Sequence, residues 1–328
     1  MQLLLTGGAG FIGGHLAAAF VGDGHDVVVL DNFEPFYDLR IKERTVERCR
    51  AVAGESDGSY ELVRGDVRDP ETVEAAVRGS DVVVHQAAQA GVRTSVEDPR
   101  TVTAINVDGT VNVLQSSVDA GVDRVVVASS SSVYGKPEYL PYDEDHPTEP
   151  VSPYGVSKLA TEHYARVYHE LHGLPTVCLR YFTVYGPRMR PNMAISNFVS
   201  RCLNGEPPVI YGDGTQTRDF TSVEDVVAAN RTLLGSDAAD GEVLNVGSTD
   251  TIQIRELAEV IRDRLAPDLE IVYESAREAD AEHTHADVSK ARERLGYEPT
   301  TDIRTGIDRF VAWYRENRDW YEPLIRSA

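Results

Sequence analysis

The sequence predicts an α/β protein built on a doubly wound parallel sheet, and three observations support this prediction. In the first half of the chain, short runs rich in valine and leucine alternate with helical segments. The runs are apolar almost throughout, as in strands that helices cover on both faces. A glycine-rich loop joins the first run to the first helical segment. At 328 residues, the chain is long enough to bury a sizeable core.

The candidate strands are short and recur regularly in the first part of the chain. They are QLLLT (2–6), DVVVLD (26–31), YELVRGDV (60–67), DVVVHQAA (81–88), RVVVASS (124–130) and TVCLRYF (176–182). The helical segments between them are FIGGHLAAAF, a charged stretch near 40–53, PETVEAAVRG, PRTVTAINVDGTVNVLQSSVDAG and the helix that Ser152 opens. Strands that alternate with helices in this way are expected to pair in parallel.

After the sixth candidate strand the alternation becomes looser, and loops such as TVYGPRMRPN and YGDGTQTRDF interrupt it. Two more helices are expected near 222–235 and 252–265, and DVSKARERLGYEPT and a final helix close the chain. We expect residues 1–182 to form a cofactor-binding domain, with later segments returning to it at about 220–250. Residues 183–328 are expected to form mainly a smaller substrate-binding region.

The chain is acidic, with a formal net charge of −21. This charge argues against a nucleic-acid partner, because phosphates need a basic binding surface. Only four of the 32 basic residues are lysines: Lys42, Lys136, Lys158 and Lys290. Diffuse acidity with scarce lysine is typical of a salt-adapted cytoplasmic protein, since molar salt screens the repulsion between like charges. A merely acidic mesophilic protein is the alternative interpretation.

The sequence offers no sign of a membrane span or a metal site. No stretch approaches 18 apolar residues, and no charged segment precedes an apolar one as in a signal peptide, so neither is expected. The three cysteines, Cys49, Cys178 and Cys202, lack the spacing of metal ligands. We expect them to be reduced, buried thiols of a cytoplasmic protein. His283 and His285 have no partner cluster that indicates a metal, and His85 is expected to be a core histidine.

The loop TGGAGFIGGHL directly follows the first candidate strand and opens a helix. Gly7, Gly10 and Gly13 allow a tight turn, close approach of the backbone to a pyrophosphate and close packing of the helix, as in a Rossmann-like fold. Asp31, at the end of the second strand, can bond both hydroxyls of an adenosine ribose and would repel a 2′-phosphate, which favours NAD over NADP. A purely structural glycine turn is the alternative.

Further residues near these strand ends are expected to contact NAD. Asp66, in GDV, is a candidate neighbour of the adenine, although such an aspartate can also simply cap a turn. The other expected contacts are Phe11, Ile12, Asn32, Val67, Ala87, Ala88 and Gln89.

The stretch SPYGVSK (152–158) marks the start of a helix that carries a candidate base. Ser152 is a good N-cap and Pro153 suits the first helical position. Tyr154 and Lys158 are four residues apart and therefore lie on one helix face. An ammonium beside a phenol favours the phenolate and lowers its pKa from about 10. A surface pair of tyrosine and lysine is the alternative to a catalytic base.

These motifs together resemble the extended short-chain dehydrogenase/reductase family. The resemblance rests on the strand–glycine loop–helix, the serine run that ends the fifth strand and Tyr-x-x-x-Lys some twenty residues later, and it covers the chain from TGGAGFIG to DVSKARERLGY. It implies that Tyr154 is the catalytic base, that Lys158 tunes it and holds the nicotinamide ribose, and that Ser130 bonds the reacting hydroxyl. It also implies a homodimer, because the helices around 100–120 and 152–172 resemble those that pair into a four-helix interface in dimers of the family.

The two residues after the catalytic serine or threonine distinguish between the reactions of this family. In its nucleotide-sugar dehydratases, an Asp and a Glu follow the catalytic Ser or Thr, and the UDP-glucuronate decarboxylases keep a Glu at the second position. This chain has Ser131 and Ser132 instead. Hydroxyls with an ordinary pKa cannot serve as general acid and base near neutrality, so dehydration is disfavoured. The resemblance then implies a 4-epimerase: Tyr154 takes the proton of the sugar 4-hydroxyl as hydride moves from C4 to NAD, and the 4-keto sugar turns over before hydride returns.

The whole pattern resembles UDP-sugar 4-epimerases. DNFEPFYDLRIKER, HQAAQAGVRTS and FTVYGPRMRPNMA resemble the UDP-glucuronate 4-epimerase branch, and Thr183 replaces the Asn that is typical of UDP-galactose 4-epimerases. Arg190 falls where that branch has an arginine that meets the C6 carboxylate, which a guanidinium can hold through two parallel hydrogen bonds. Ser131, Ser132 and Thr183 are candidates for further donors.

One departure from the sequence pattern of that branch leaves the identity of the substrate sugar undecided. Trp-Gly usually precedes the arginine, whereas this chain has Arg188 and Met189, so Arg188 competes with Arg190 for the carboxylate. UDP-glucose and UDP-N-acetylglucosamine therefore stay alternative substrates.

The resemblance also implies contacts to UDP. Arg218, in TQTRDF, resembles the family's diphosphate- or ribose-binding arginine, and Arg277 and Asp280 match its later Arg-x-Gly-Asp with Ala279 in place of Gly. Asn192 and Tyr211 complete the expected substrate contacts.

Two competing interpretations stay open: a related decarboxylase or dehydratase, and a non-catalytic NAD-binding sensor. Sensors of this fold often lose the Tyr or the Lys, whereas Ser130, Tyr154 and Lys158 are all present here.

Overall fold

The computed structural model describes residues 1–275 and 283–326. Its strands are β1 (Gln2–Thr6), β2 (Asp26–Asp31), β3 (Ser59–Arg64), β4 (Val82–His85), β5 (Arg124–Ser130), β6 (Thr176–Tyr181), β7 (Thr183–Tyr185), β8 (Val209–Tyr211), β9 (Thr217–Arg218), β10 (Phe220–Ser222), β11 (Val243–Val246), β12 (Ile252–Gln253) and β13 (Val272–Glu274).

Helices connect these strands. They are α1 (Phe11–Gly22), α2 (Leu39–Glu55), α3 (Pro70–Val77), α4 (Val92–Glu97), α5 (Pro99–Thr103), α6 (Gly109–Ala120), α7 (Pro153–His172), α8 (Ala194–Leu203), α9 (Val223–Gly235), α10 (Ile254–Leu265), α11 (Ser289–Leu295), α12 (Ile303–Glu316) and α13 (Arg318–Arg326). A π-helical turn, Ala104–Asp108, joins α5 to α6. None of the helices in the described ranges combines the length and the apolar character that a membrane crossing requires.

A sheet of seven parallel strands, in the order β11-β6-β5-β4-β1-β2-β3, forms the centre of the fold. Its two faces are covered by separate clusters of buried apolar side chains, so the valine-rich runs are buried on both sides. The predicted doubly wound parallel sheet is therefore confirmed. The strand order reverses between β1 and β4, which is where an open α/β sheet forms a crevice at its carboxyl edge.

A second apolar core lies in the C-terminal part of the chain. Short strands pair locally there: β7 with β10, β8 with β13, and β9 with β12. Helices α8, α10, α12 and α13 bury apolar side chains between them, including Phe198, Leu257 and Phe310. Strand β11 instead joins the main sheet beside β6. The proposed domain boundary near residue 182 stays a prediction.

Several strands and helices begin or end at residues other than those predicted from the sequence. The third and fourth strands stop at Arg64 and His85, because the chain leaves the sheet there to line a cavity. The predicted final helix is two helices, α12 and α13, and the long segment after Pro99 is interrupted by the π-helical turn. The seventh strand, β11, was not predicted.

Candidate active site

The glycine loop after β1 forms a cradle that excludes side chains. Gly7 has φ +70°, and a Cβ built there would lie 2.8 Å from the backbone of Ala87. A Cβ at Gly13 would lie 2.3 Å from the carbonyl oxygen of Gly7. Helix α1 begins at Phe11 with Gly10 as a cap that has no side chain to occupy the first N–H groups. A helix N-terminus with free backbone N–H groups is suited to a pyrophosphate.

Asp31, at the end of β2, is held in a fixed orientation. One carboxylate oxygen, Oδ1, accepts hydrogen bonds from the Phe33 backbone N–H at 2.8 Å and from Lys42 Nζ at 3.0 Å. The other oxygen, Oδ2, accepts from the Ala9 backbone N–H at 3.1 Å. Lys42 is only 7% exposed and also lines the cavity. The sequence analysis did not assign Lys42 to the site; the scarcity of lysine in the chain was the available signal.

Asp66 caps a turn, and its contact with adenine stays a prediction. Its carboxylate accepts hydrogen bonds from the backbone and the guanidinium of Arg68 and from Asn32 Nδ2. The hydrogen bonds with Arg68 hold the pKa of Asp66 well below its ordinary value. Its two neighbours, Gly65 and Val67, line the cavity instead.

A cavity of about 500 Å³ opens at the carboxyl edge of the sheet. It brings together most of the residues that the sequence assigned to the cofactor and to catalysis: Gly7, Gly10, Phe11, Ile12, Gly13, Asp31, Asn32, Val67, Ala87, Ala88, Gln89, Ser130, Ser131, Ser132, Tyr154, Lys158, Thr183 and Arg190. The glycine cradle and the Tyr154 helix therefore share one cavity.

An adjoining cavity of about 1080 Å³ shares Thr183 and Met193 with the first. Asn192, Tyr211 and Arg218 line this second cavity. Arg277 and Asp280, which were also assigned to UDP, lie outside the described residues.

Tyr154 lies in the first turn of α7, as predicted. Ser152 caps this helix, since its side chain accepts a hydrogen bond from the Gly155 backbone N–H, and Pro153 is the first helical residue. Burial raises the pKa of Tyr154, whereas a hydrogen bond with Ser130 and the charge of Arg190 lower it. Arg190 is thus a cation beside this phenol that the four-residue spacing did not indicate, and the support that Lys158 gives to the phenol stays a prediction.

Lys158 lies one turn further along the buried face of α7. Its Nζ donates a hydrogen bond to the Ala128 carbonyl oxygen of β5 at 2.7 Å. Burial lowers the pKa of Lys158 to about 8, while the neighbouring Cys178 and Glu162 act in the opposite direction. The lysine therefore changes charge within the pH range in which enzymes are assayed.

The serine run places hydroxyls, and no carboxylates, next to Tyr154. Ser130 ends β5, and Ser131 and Ser132 form a short 3-10 turn at the cavity wall. Among the described residues that line this cavity, the carboxylates are those of Asp31 and Glu34. Asp31 ends β2 and Glu34 follows it, and β2 is three strand spacings of about 4.8 Å from β5, so about 14 Å separates them from the serine run. The wall beside Tyr154 consequently lacks a carboxylate pair for water elimination.

Arg190 and Arg188 point in different directions. Arg190 lines the cavity, and its guanidinium lies 5.5 Å from the centre of the Phe36 ring. Within residues 1–275 and 283–326, no carboxylate forms an ion pair with Arg190, and burial lowers its pKa. Arg188 has a left-handed backbone (φ +64°), and its Nη1 donates to the Arg44 carbonyl oxygen at 3.3 Å. Arg188 lines neither cavity.

The histidines have structural contacts. His85 is buried between the hydroxyls of Thr6 and Thr110, at 2.7 Å and 3.0 Å, which confirms the prediction of a core histidine. His283 Nδ1 lies 3.0 Å from Thr217 Oγ1. In the part of the chain that the structure describes, no three His, Cys, Asp or Glu side chains are grouped as metal ligands.

Comparison with known proteins places the chain in a family. The family model described as GDP-mannose 4,6 dehydratase matches residues 4–310. A UDP-glucuronate 4-epimerase of Thermodesulfobacterium geofontis is 34% identical, with 99% of this chain and 98% of that protein covered.

Two solved structures show the same fold over the full length. The UDP-glucuronic acid 4-epimerase of Bacillus cereus, in complex with UDP-glucuronic acid and NAD, has a TM-score of 0.89 and 33% identity and covers 96% of this chain and 99% of its own. The UDP-N-acetylglucosamine 4-epimerase of Methanobrevibacter ruminantium, in complex with UDP-N-acetylmuramic acid, has a TM-score of 0.87 and 32% identity, with 96% and 98% covered. With this glycine cradle, this Ser-Tyr-Lys arrangement and these relatives, the chain belongs to the extended short-chain dehydrogenase/reductase family.

Proposed function

We propose that this protein interconverts UDP-glucuronate and UDP-galacturonate. Its general activity, NAD-dependent 4-epimerisation of a UDP-sugar, follows from its relatives and from the retained Ser130, Tyr154 and Lys158. The choice of a uronate rests on one observation: Arg190, which is half-buried, lines the Tyr154 cavity with no carboxylate partner among the described residues. A guanidinium that faces a cavity without a counter-ion is suited to bind an anionic group, and the carboxylate of a uronate would supply one.

The residues of the first cavity fit NAD. The cradle of Gly7 and Gly13 leaves room for a pyrophosphate where any side chain would collide with backbone. Asp31 is oriented by three donors and still has acceptor capacity for ribose hydroxyls. Bound there, NAD would supply a reversible hydride acceptor for C4 of the sugar.

Tyr154 is the proposed base for the 4-hydroxyl of the sugar. Ser130 hydrogen-bonds the phenol and can also donate to the sugar oxygen, which holds the two hydroxyls in line. The positive charge of Arg190 favours the phenolate. Lys158, charged below a pH of about 8, adds a second positive charge at the base of the cavity.

Arg190 is the proposed ligand of the C6 carboxylate. A guanidinium holds a carboxylate through two parallel hydrogen bonds, and Ser131, Ser132 and Thr183 line the same wall and can add donors. Such a clamp disfavours decarboxylation, because the carboxylate would have to give up its charge stabilisation to leave. The absence of carboxylates at 131 and 132 likewise disfavours dehydration.

The second cavity is the proposed site for UDP. Arg218 offers a guanidinium for the diphosphate, and Asn192 and Tyr211 lie on the same wall. Arg277 and Asp280 stay proposed ligands from the sequence alone.

The first experiment is an NMR time course of the purified protein in molar KCl with NAD supplied. UDP-glucuronate, UDP-glucose and UDP-N-acetylglucosamine are tested separately, and the anomeric proton of each is followed. We expect only UDP-glucuronate to be converted, giving UDP-galacturonate. Conversion of a neutral sugar alone would retain the epimerase mechanism and refute the role of Arg190. Formation of UDP-xylose would identify a decarboxylase.

We also propose that the protein is a homodimer in which α6 and α7 of each subunit meet. Val156, Tyr164 and Leu171 on α7 are exposed by 55%, 41% and 73%. At 100° per residue they fall within an arc of about 80° on one helix face. Light scattering at high salt should give a dimer, and Val156→Glu combined with Leu171→Glu should give a monomer. A wild-type protein that scatters as a single 36 kDa species would refute the dimer. Salt adaptation and a cytoplasmic location are proposals that rest on composition.

A further inference from the structure

One face of α7 carries three polar side chains at intervals of four residues: Tyr154, Lys158 and Glu162. Each contacts one of the last three residues of β5. Tyr154 lies beside Ser130, which lowers the pKa of its phenol, and Lys158 Nζ donates to the Ala128 carbonyl oxygen. Glu162 Oε1 accepts from Ser129 Oγ at 2.5 Å. The proposed mechanism uses the first two contacts and leaves Glu162 without a role.

Glu162 is bound to the sheet through a second strand as well. Arg180 on β6 donates from Nε to Oε1 at 2.9 Å and from Nη2 to Oε2 at 2.8 Å. The two side chains are only 5% and 6% exposed. The guanidinium also lies 4.7 Å from the centre of the Tyr134 ring. A buried pair with two parallel hydrogen bonds fixes geometry, and the loss of one partner leaves the other charge uncompensated.

We propose that Glu162 is a positioning residue for the epimerisation. It fixes the end of β5 against α7, so that Ser130 meets Tyr154, and it places a carboxylate one helical turn from Lys158. The inference rests on the proposed function, in which a charged Lys158 supports the tyrosine base.

The surroundings of Lys158 make the charge of Glu162 important. The titratable groups that face it are Glu162 on its own helix, Cys178 on β6 and His85 on β4, and the guanidinium of Arg180 on β6 pairs with Glu162 beside them. Burial raises the pKa of the Cys178 thiol and lowers the pKa of His85 to about 3, so both are neutral near pH 7. Among these described neighbours, Glu162 is the anion. Its removal therefore lowers the pKa of Lys158, and the lysine loses its charge at a lower pH.

Because lysine is scarce in this chain, the effect of Glu162 on the pKa of Lys158 can be measured without any substrate. With four lysines in the chain, the ¹³Cε signals of a lysine-labelled protein can be assigned by single replacements, and Lys158 can be titrated directly. In Glu162→Gln, we expect the titration midpoint of Lys158 to fall by about one pH unit. The alkaline limb of kcat with UDP-glucuronate should move to lower pH by the same amount. Glu162→Asp keeps the charge but shortens the side chain, so it should lower kcat at every pH without moving the limb.

Asp240→Asn is the matched control. Asp240 pairs with Arg124 at the opposite end of β5, where the side chains are 20% and 11% exposed. This replacement should lower the melting temperature while leaving the titration of Lys158 in place. A Lys158 midpoint that is the same in Glu162→Gln and in wild type, or that moves equally in Asp240→Asn, would overturn the inference. Should the midpoint move as expected in a protein that converts no UDP-sugar, the proposed function would fail and the electrostatic role of Glu162 would stand.

Discussion

Replacing Tyr154 with phenylalanine is expected to abolish turnover of the UDP-sugar while NAD still binds. The phenol lies beside Ser130 in the described cavity wall, and the change removes only its hydroxyl. Loss of a positioned general base lowers kcat by about 10²- to 10⁴-fold, and this phenol has no carboxylate neighbour to replace it. The measurement is the NMR time course with UDP-glucuronate, together with NAD binding followed by protein fluorescence.

Tyr164→Phe provides a matched control on the same helix. Tyr164 is 41% exposed and lies about 80° around α7 from Tyr154 without lining the cavity, so its loss should leave both turnover and NAD binding at wild-type values. Equal melting temperatures of the two variants would show that any difference in activity is chemical. Undiminished turnover in Tyr154→Phe would mean that the proton is taken by another group, and the proposed mechanism would be wrong.

The sheet could be predicted because its signal is local. Valine-rich runs such as those of β2 and β5 are buried on both faces, and each run by itself indicates a strand. The ends could not be predicted in the same way. GDV after β3 continues the apolar pattern, but the chain leaves the sheet there to line the cavity. Strand β11 is only four residues long, and its place beside β6 depends on a pairing between distant segments.

The residues of the candidate site show the same contrast between local sequence signals and contacts between distant segments. Gly7, Gly13 and the Tyr154 helix are short motifs whose local geometry follows from the sequence. Two ion pairs, Lys42 with Asp31 and Glu162 with Arg180, join residues of different elements, so no local sequence pattern predicts them. The contribution of Arg190 to the charge beside Tyr154 could not be predicted for this reason. The spacing of Tyr154 and Lys158 is local, whereas Arg190 reaches the phenol from a loop after β7.

Replacing Arg190 with methionine is expected to change which sugar the enzyme prefers. If the guanidinium binds the C6 carboxylate, its loss leaves that anion unpaired in a buried wall, which costs about 2–5 kcal/mol. The kcat/KM for UDP-glucuronate should therefore fall by at least about 30-fold relative to that for UDP-glucose, which has no carboxylate to pair. The two substrates are measured by the same NMR assay, and the result is expressed as the ratio of the two kcat/KM values.

Arg188→Met is the control, because Arg188 also carries a guanidinium in this loop but binds the Arg44 carbonyl oxygen and lines neither cavity. It should leave the ratio unchanged. An equal loss in both variants, or a change in the ratio with Arg188→Met alone, would refute the assignment of the carboxylate to Arg190.

Arg190→Lys separates the two effects of the guanidinium. Its charge lowers the pKa of Tyr154, so methionine should raise that pKa and shift the acidic limb of kcat to higher pH for every substrate. Lysine retains the charge and should leave the limb in place, but it cannot form two parallel hydrogen bonds in the plane of a carboxylate. The lysine variant should therefore lose activity with UDP-glucuronate without the pH shift. A pH shift common to both variants, with an unchanged substrate ratio, would instead assign Arg190 to the tyrosine base and leave the sugar without a carboxylate ligand.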